Sequence, residues 1–364
     1  MESASWQRPL YGFKITQNQA KMPLKSGFSD GLWGGARIHY LDSLKCLGIL
    51  LVIEGHVWSF GMAKETYDTV SGLMLYSFNM PIFFFVSGLL AYKDRQESIW
   101  QLLGNIWKKF QFLVIPAVVV KCFMDLLHQQ NPLHVFRDGF GGYWFTITLF
   151  ECFLLYYVVA MVVKNVKLRM AVLVMLAVIG IGLLGIFGRD FGPAVIDMNR
   201  LTKYFQYFVM GVLAMRYKEL FETTMRNEWL KAVAMILFFA LLFVINNPVW
   251  PSSVFHIFRD LVLRYLGTFI VVSWFVCNAE LFNRNTRVNK LIMKIGQSSL
   301  AIYLLQYFFI PSFMAFPNWV KGLDEVTVHV ISLGYTVVIT AMCMCFISLF
   351  GNSKYIKKYV LGQK

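Results

Sequence analysis

The stretch LDSLKCLGILLVIEGHVW, residues 41–58, indicates a membrane helix with a polar face, because it places Lys45 and His56 within an apolar run of membrane-spanning length. At 100° per residue, the step from Lys45 to His56 turns about 1100°, which leaves both side chains on one helix face. They lie roughly 16 Å apart along the helix axis. Ionisable side chains within a membrane helix face the bundle interior or a wet cavity. This helix is therefore predicted to line an internal polar site.

The composition indicates a polytopic membrane protein. Of the 364 residues, 57% are hydrophobic and 15% are charged, whereas soluble domains carry about 25% charged residues. The mean hydropathy is +0.56. We predict an all-α transmembrane bundle of about ten helices with both termini cytosolic. The ten predicted spans are 41–60, 71–92, 110–127, 143–163, 168–187, 201–215, 229–246, 255–279, 291–313 and 326–350.

These spans divide the chain into a cytosolic N-terminal tail (1–36), a transmembrane domain (37–352) and a basic cytosolic C-terminal tail (353–364). The net charge of +14 raises the question of a nucleic-acid partner. With the N-terminus inside, however, most basic residues fall in cytosolic segments, as the positive-inside rule requires. No nucleic-acid partner is therefore predicted. The basic residues assigned to outer loops are Lys64, Arg137, Arg189, Arg200, Lys203 and Lys321.

Cofactor signatures are absent from the sequence. All six cysteines fall in predicted spans, and Cys343 with Cys345 lacks the two-residue gap of a metal or redox pair. We find no glycine-rich phosphate loop and no zinc-type spacing of His and Cys. No metal site and no cofactor are predicted.

The first two spans are predicted to share a cavity. Span one runs outward, so Asp42 and Lys45 lie near the cytosolic surface and His56 lies deeper. Glu54 is about 160° from His56 and must face a different neighbour. In span two, Pro81 removes a helical hydrogen bond, and Asn79 and Ser87 are predicted to line the same cavity. A kinked packing helix is an equal alternative for span two.

Three further polar residues are predicted at membrane depth. Glu151 in span four lies near mid-membrane, where a carboxylate must be paired, protonated or functional. Arg264 in span eight has no partner nearby in the sequence, which favours a contact with an anion or substrate. Gln306 in span nine reaches about the depth of His56, although glutamine there more often joins helices.

Other charged residues have simpler interpretations. Lys121 and Asp125, four positions apart, are predicted to neutralise each other within the bundle. Arg259 and Asp260 allow the same interpretation, a pair with a merely structural role. At the cytosolic mouth, Lys108 and Lys109 add to the charge of Lys45. A basic mouth that leads to a histidine suits a long anionic molecule with a reactive end.

Several motifs together resemble the acyltransferase-3 family of polytopic membrane acyltransferases. They are the ten-residue gap between Lys45 and His56, FNMPIFFFVSGLL (78–90), Trp144-Phe145, YFQYFVMGVLA in span six and IGQSSLAIYLLQ in span nine. Two positions depart from the family pattern. Lys45 replaces the usual Arg, which loses a bidentate fork, and Gln306 replaces a His found in many members.

The resemblance implies an enzyme that moves an acyl group, usually acetyl, from acyl-CoA to a hydroxyl of an envelope saccharide. Acyl-CoA would be a co-substrate, and the other partners would be a glycan acceptor and the lipid bilayer of the plasma (inner) membrane. The residues expected to act in catalysis are His56, Arg264 and Glu151. The residues expected to bind substrate are Lys45, Asp42, Asn79, Ser87, Lys108, Lys109 and Gln306.

Two questions stay open at the level of sequence. His56 can act as a general base or as a nucleophile that carries the acyl group. A transporter or flippase of lipid-linked sugars, or a non-catalytic export partner, would also need polar groups in mid-membrane. The absence of an inverted repeat argues against the transporter.

Overall fold

The computed structural model describes residues 38–62, 69–93, 96–132, 135, 139–187, 197–244, 253–311 and 322–363. These ranges contain fifteen α-helices and no strand. The helices are α1 (His39–His56), α2 (Val70–Ala91), α3 (Ile99–Lys109), α4 (Ile115–Leu127), α5 (Trp144–Val162), α6 (Val166–Phe187), α7 (Met198–Arg216), α8 (Lys218–Arg226), α9 (Glu228–Val244), α10 (Ser253–Cys277), α11 (Ala279–Asn283), α12 (Arg287–Gln297), α13 (Ser299–Leu305), α14 (Glu325–Phe350) and α15 (Lys354–Tyr359).

The all-α membrane fold predicted from the sequence is confirmed. Each of the ten predicted spans overlaps a helix, and within the described ranges seven helical segments are long and apolar enough to cross a membrane. Three predicted spans are not among these seven segments, each for a different reason. Helix α7 carries Arg200, Lys203 and Arg216, α9 is described over 17 residues, and the ninth span is divided at Ser298. The cytosolic position of both termini stays a prediction, and the tail 1–36 lies outside the described residues.

Two membrane helices contain a π-helical turn. One turn, Val57–Gly61, follows directly after His56, and the other, Phe110–Val114, joins α3 to α4. Such turns admit an extra residue into a helix and often occur at functional sites. Pro81, in contrast, lies within α2 without ending it. The first π-turn therefore marks the end of α1 at which His56 lies.

Reciprocal glycines bring α2 and α7 into backbone contact. A Cβ atom at Gly88 would lie 1.9 Å from the carbonyl oxygen of Phe208, and one at Gly211 would lie 2.0 Å from that of Phe85. Only glycine permits this distance, and small residues allow close helix packing in membranes. The α2 and α7 pair is the most extensive helix contact in the described bundle.

Helix α1 lies at the centre of the bundle. It packs against α2, α10, α12, α13 and α14, and most of its residues are buried. Beyond α14, α15 packs against α4 and against the π-turn between α3 and α4. The chain end therefore lies against the membrane helices.

Candidate active site

A cavity of about 810 Å³ runs beside α1 and is lined by two of the lysines expected near the cytosolic surface, Lys45 and Lys109. We name it the basic cavity because lysines from four separate elements line it. They are Lys45, Lys109, Lys294 and Lys357. Apolar residues from α1, α2 and α5, among them Ile49, Val52, Phe83 and Phe153, line it as well. Ser87 also lines the cavity, in agreement with the sequence prediction.

Lys45 is held in place by α12. Its Nζ lies 2.7 Å from Oδ1 of Asp42, and Nε2 of Gln297 donates to Oδ2 of Asp42 at 3.2 Å. The two helices touch at Gly296, where a Cβ would lie 1.8 Å from the carbonyl oxygen of Asp42. Asp42 is almost fully buried, and its ion pair with Lys45 fixes the position of the ammonium group.

The other cavity lysines have different surroundings. Nζ of Lys109 lies 3.7 Å from the centre of the Phe153 ring, a cation–π contact. Lys294 and Lys357 have no carboxylate within ion-pair distance among the described residues. The basic cavity thus carries more positive than negative charge and is suited to an anionic ligand.

His56 continues the line of residues that bounds the basic cavity. Lys45, Ile49 and Val52 line the cavity at helical spacing, and the next position on that face of α1 is His56. The His56 ring packs against Phe60 and Tyr307, with ring centroids 5.3 Å and 5.0 Å away. Tyr303, one turn before Tyr307, lines the cavity. His56 therefore lies one helical turn from the lining of the cavity.

The hydrogen bonds of Tyr307 assign the tautomer of His56. The hydroxyls of Tyr303 and Tyr307 both donate to the carbonyl oxygen of Gly142, at 2.5 Å and 3.0 Å. A carbonyl oxygen only accepts, so each hydroxyl commits its single proton to Gly142. The Tyr307 oxygen is also 3.3 Å from Nε2 of His56, and this contact then needs a hydrogen on Nε2. With the Tyr307 proton assigned to Gly142, neutral His56 carries its lone pair on Nδ1.

The Nδ1 atom of His56 lies in different surroundings from Nε2. Nδ1 is buried and has no hydrogen-bond partner among the described residues. Gln306 directly precedes Tyr307, whose ring packs against the His56 imidazole. Nε2 of Gln306 donates to the carbonyl oxygen of Tyr303 at 3.1 Å, whereas Oε1 is buried and without a partner in the described ranges. Gln306 thus lies in the same short turn as Tyr307, which contacts His56, and its role in substrate binding stays a prediction.

Some residues predicted for the site lie elsewhere. Lys108 is exposed and does not line the basic cavity. Asn79 is buried, and its Oδ1 accepts from the amide of Met80 at 2.7 Å. Glu151 lines a second cavity of about 770 Å³ in which every other lining residue is apolar. These three residues are not among those that line the basic cavity.

Arg264 faces α2 and does not line the basic cavity. It lines a space of about 10 Å³ with Tyr76 and Asp260, which holds at most a water molecule. The Tyr76 hydroxyl donates to the carbonyl oxygen of Gly55 at 3.4 Å. Contact of Arg264 with a substrate stays a prediction.

The pairings expected of the other charged residues are confirmed. Lys121 binds Asp125, and Arg259 binds Asp260 at 2.8 Å. Glu54 faces away from the site, as its angle predicted, and lies 2.8 Å from Nδ1 of His329 in α14.

Sequence reasoning missed several groups around the site. Tyr303 and Tyr307 are four positions apart, a spacing that places both side chains on one face of a helix. This spacing next to Gln306 could have identified them. Gly142 had no such signal, although a Cβ there would lie 2.5 Å from the Tyr307 hydroxyl. Lys294 and Lys357 were assigned only to the cytosolic charge, because their approach to Lys45 depends on tertiary packing.

These features define an integral membrane protein in which a lysine-rich cavity runs toward a buried histidine. The chain belongs to the acyltransferase-3 family, whose model describes an acyltransferase domain and matches residues 38–351. Comparisons with curated proteins and with solved structures gave no match. The protein is therefore a membrane acyltransferase.

Proposed function

We propose that this protein takes an acyl group, by default acetyl, from cytosolic acyl-CoA and transfers it to a hydroxyl of an extracytoplasmic or lipid-linked saccharide. The setting that fits this reaction is the plasma membrane, where cytosolic donor and envelope acceptor meet. The observation that carries the proposal is the alignment of Lys45, Ile49, Val52 and His56 along one face of α1.

The basic cavity suits the shape and charge of acyl-CoA. The lysines match phosphate groups, since ammonium groups form charge-assisted hydrogen bonds with phosphate oxygens. The apolar wall at Ile49, Val52 and Phe83 suits a thin pantetheine arm. A thioester carried to the end of that arm would come close to His56.

In this mechanism His56 acts as the general base. The acceptor hydroxyl gives its proton to Nδ1 while its oxygen attacks the thioester carbonyl. The tetrahedral intermediate then expels the CoA thiolate, and the proton from Nδ1 converts that thiolate to a thiol. The products are an O-acyl ester and free CoA.

The neighbours of His56 support each stage of this proton transfer. Tyr307 holds Nε2 and so keeps the lone pair on Nδ1. Gln306 Oε1 is available to accept a hydrogen bond from the imidazolium that forms. Both residues are positioning groups for His56, and neither needs to change its own protonation state.

Lys45→Ala tests the donor part of the proposal. We expect KM for acetyl-CoA to rise about tenfold, with a smaller loss of kcat at saturating donor, because the lysine contacts the donor away from the reacting bond. The measurement is thiol release from acetyl-CoA by purified protein, supplied with an envelope glycan extract. Lys108→Ala is the matched control, since Lys108 is exposed and does not line the cavity, unlike the adjacent Lys109. An unchanged KM in Lys45→Ala would remove Lys45 from the donor site.

A further inference from the structure

Residues 361–363 fold back onto the membrane helices. Leu361 is fully buried, and its amide donates to the carbonyl oxygen of Ile356 at 2.9 Å. The amide of Gln363 donates to the carbonyl oxygen of Lys357, also at 2.9 Å. These bonds bring residues 361–363 beside the last turns of α15.

Gly362 fixes this segment against the cavity helices. Its φ of +60° lies in the left-handed region that favours glycine. A Cβ there would lie 2.6 Å from the carbonyl oxygen of Phe112 and 2.9 Å from Cδ2 of Leu300. Phe112 belongs to the π-turn after α3, and Leu300 itself lines the basic cavity. The backbone of the segment is thus seated directly on the wall of the cavity.

The segment also supplies part of that wall. Lys357, Gly362 and Gln363 line the basic cavity together with Lys45, Lys109 and Lys294. Lys45 is paired with Asp42, and Lys109 lies over the Phe153 ring. Lys357 has no carboxylate within ion-pair distance in the described part of the chain. Its charge is therefore not neutralised by a neighbouring acid there.

We propose that residues 357–363 form one wall of the acyl-donor site and that Lys357 contacts a phosphate of the donor. This rests on the proposed function, because it identifies the occupant of the basic cavity as acyl-CoA. The C-terminal segment is then part of the binding site rather than a cytosolic tail. Lys357, Gly362 and Gln363 supply its contribution to the lining of the cavity.

The test compares two charge reversals in α15. Lys357→Glu should raise the Kd for CoA about tenfold or more, since it replaces an attraction for phosphate with a repulsion. Lys354→Glu is the matched control, because Lys354 is exposed on the same helix and outside the cavity. We expect it to change Kd by less than about twofold, as screened surface charges do. Equilibrium dialysis of purified protein with radiolabelled CoA measures both.

Two further variants separate charge from folding. Lys357→Arg keeps the charge and should bind CoA nearly as well as the native protein. Gly362→Val should weaken CoA binding while Lys357 is intact, because it displaces residues 361–363. Thermal unfolding of each variant checks that the bundle is preserved.

The outcomes distinguish this inference from the proposed function. Native protein that binds CoA, with Lys357→Glu matching Lys354→Glu, would overturn the inference and leave the donor assignment standing. Native protein that does not bind CoA at all would overturn both. Weakened CoA binding confined to Lys357→Glu and Gly362→Val would support the assignment of residues 357–363 to the wall of the donor site.

Discussion

Replacing His56 with alanine is expected to lower the rate of acyl transfer about a thousandfold, the scale of a lost general base. The imidazole combines a buried nitrogen that has no hydrogen-bond partner among the described residues with a position one helical turn from the basic cavity. Donor affinity should be nearly unchanged, because the lysines that attract the phosphates remain. Transfer rates and CoA binding of the purified variant would be measured side by side.

The matched control for this experiment is His128→Ala. His128 is exposed at the end of α4, and its Nδ1 lies 2.8 Å from the carbonyl oxygen of Met124. Its removal should leave both transfer and binding close to native. A well-folded His56→Ala protein with the native transfer rate would exclude His56 as the base.

Gly88→Ala is expected to have the largest effect on stability. The added methyl would lie 1.9 Å from the Phe208 carbonyl oxygen, so α2 and α7 must separate or shift. Overpacking of this kind costs about 3 kcal/mol or more when backbone has to move. We expect a clear fall in the melting temperature and in the yield of monodisperse protein. Fluorescence-detected size-exclusion chromatography measures both.

Gly334→Ala provides the comparison for that substitution. It lies within α14, and a Cβ there would meet nothing within 4 Å. Alanine is a better helix former than glycine, so this variant should be as stable as the native protein or slightly more stable. Equal melting temperatures for the two variants would show that α2 and α7 are not held by close glycine contact.

The sequence carried the information for α1 and its active face. The spacing of Lys45 and His56 gives a shared face on any regular helix, and the structure keeps α1 regular as far as His56. The opposite position of Glu54 followed from the same angles, and it faces His329. Local helix geometry was sufficient for these residues because they belong to one element.

Residues that reach the site from other elements were harder to predict. Depth in the membrane placed Glu151 near His56, but depth does not specify which side of a helix faces the cavity. The same limit applies to Lys108 and Lys109, which are adjacent in sequence and differ in their access to the cavity. The position of Lys357 at the cavity could not be predicted either, because the fold-back at Gly362 depends on tertiary contact with Phe112.

In the proposed function, the acyl group crosses the bilayer within the bundle, from cytosolic acyl-CoA to a glycan on the other side. The most direct measurement uses proteoliposomes with one orientation of the protein, acetyl-CoA on the cytosolic face and an envelope glycan confined to the opposite compartment. We predict acetylated glycan in that opposite compartment, and none with His56→Ala. Product that forms only when glycan and acetyl-CoA share the cytosolic compartment would contradict the account.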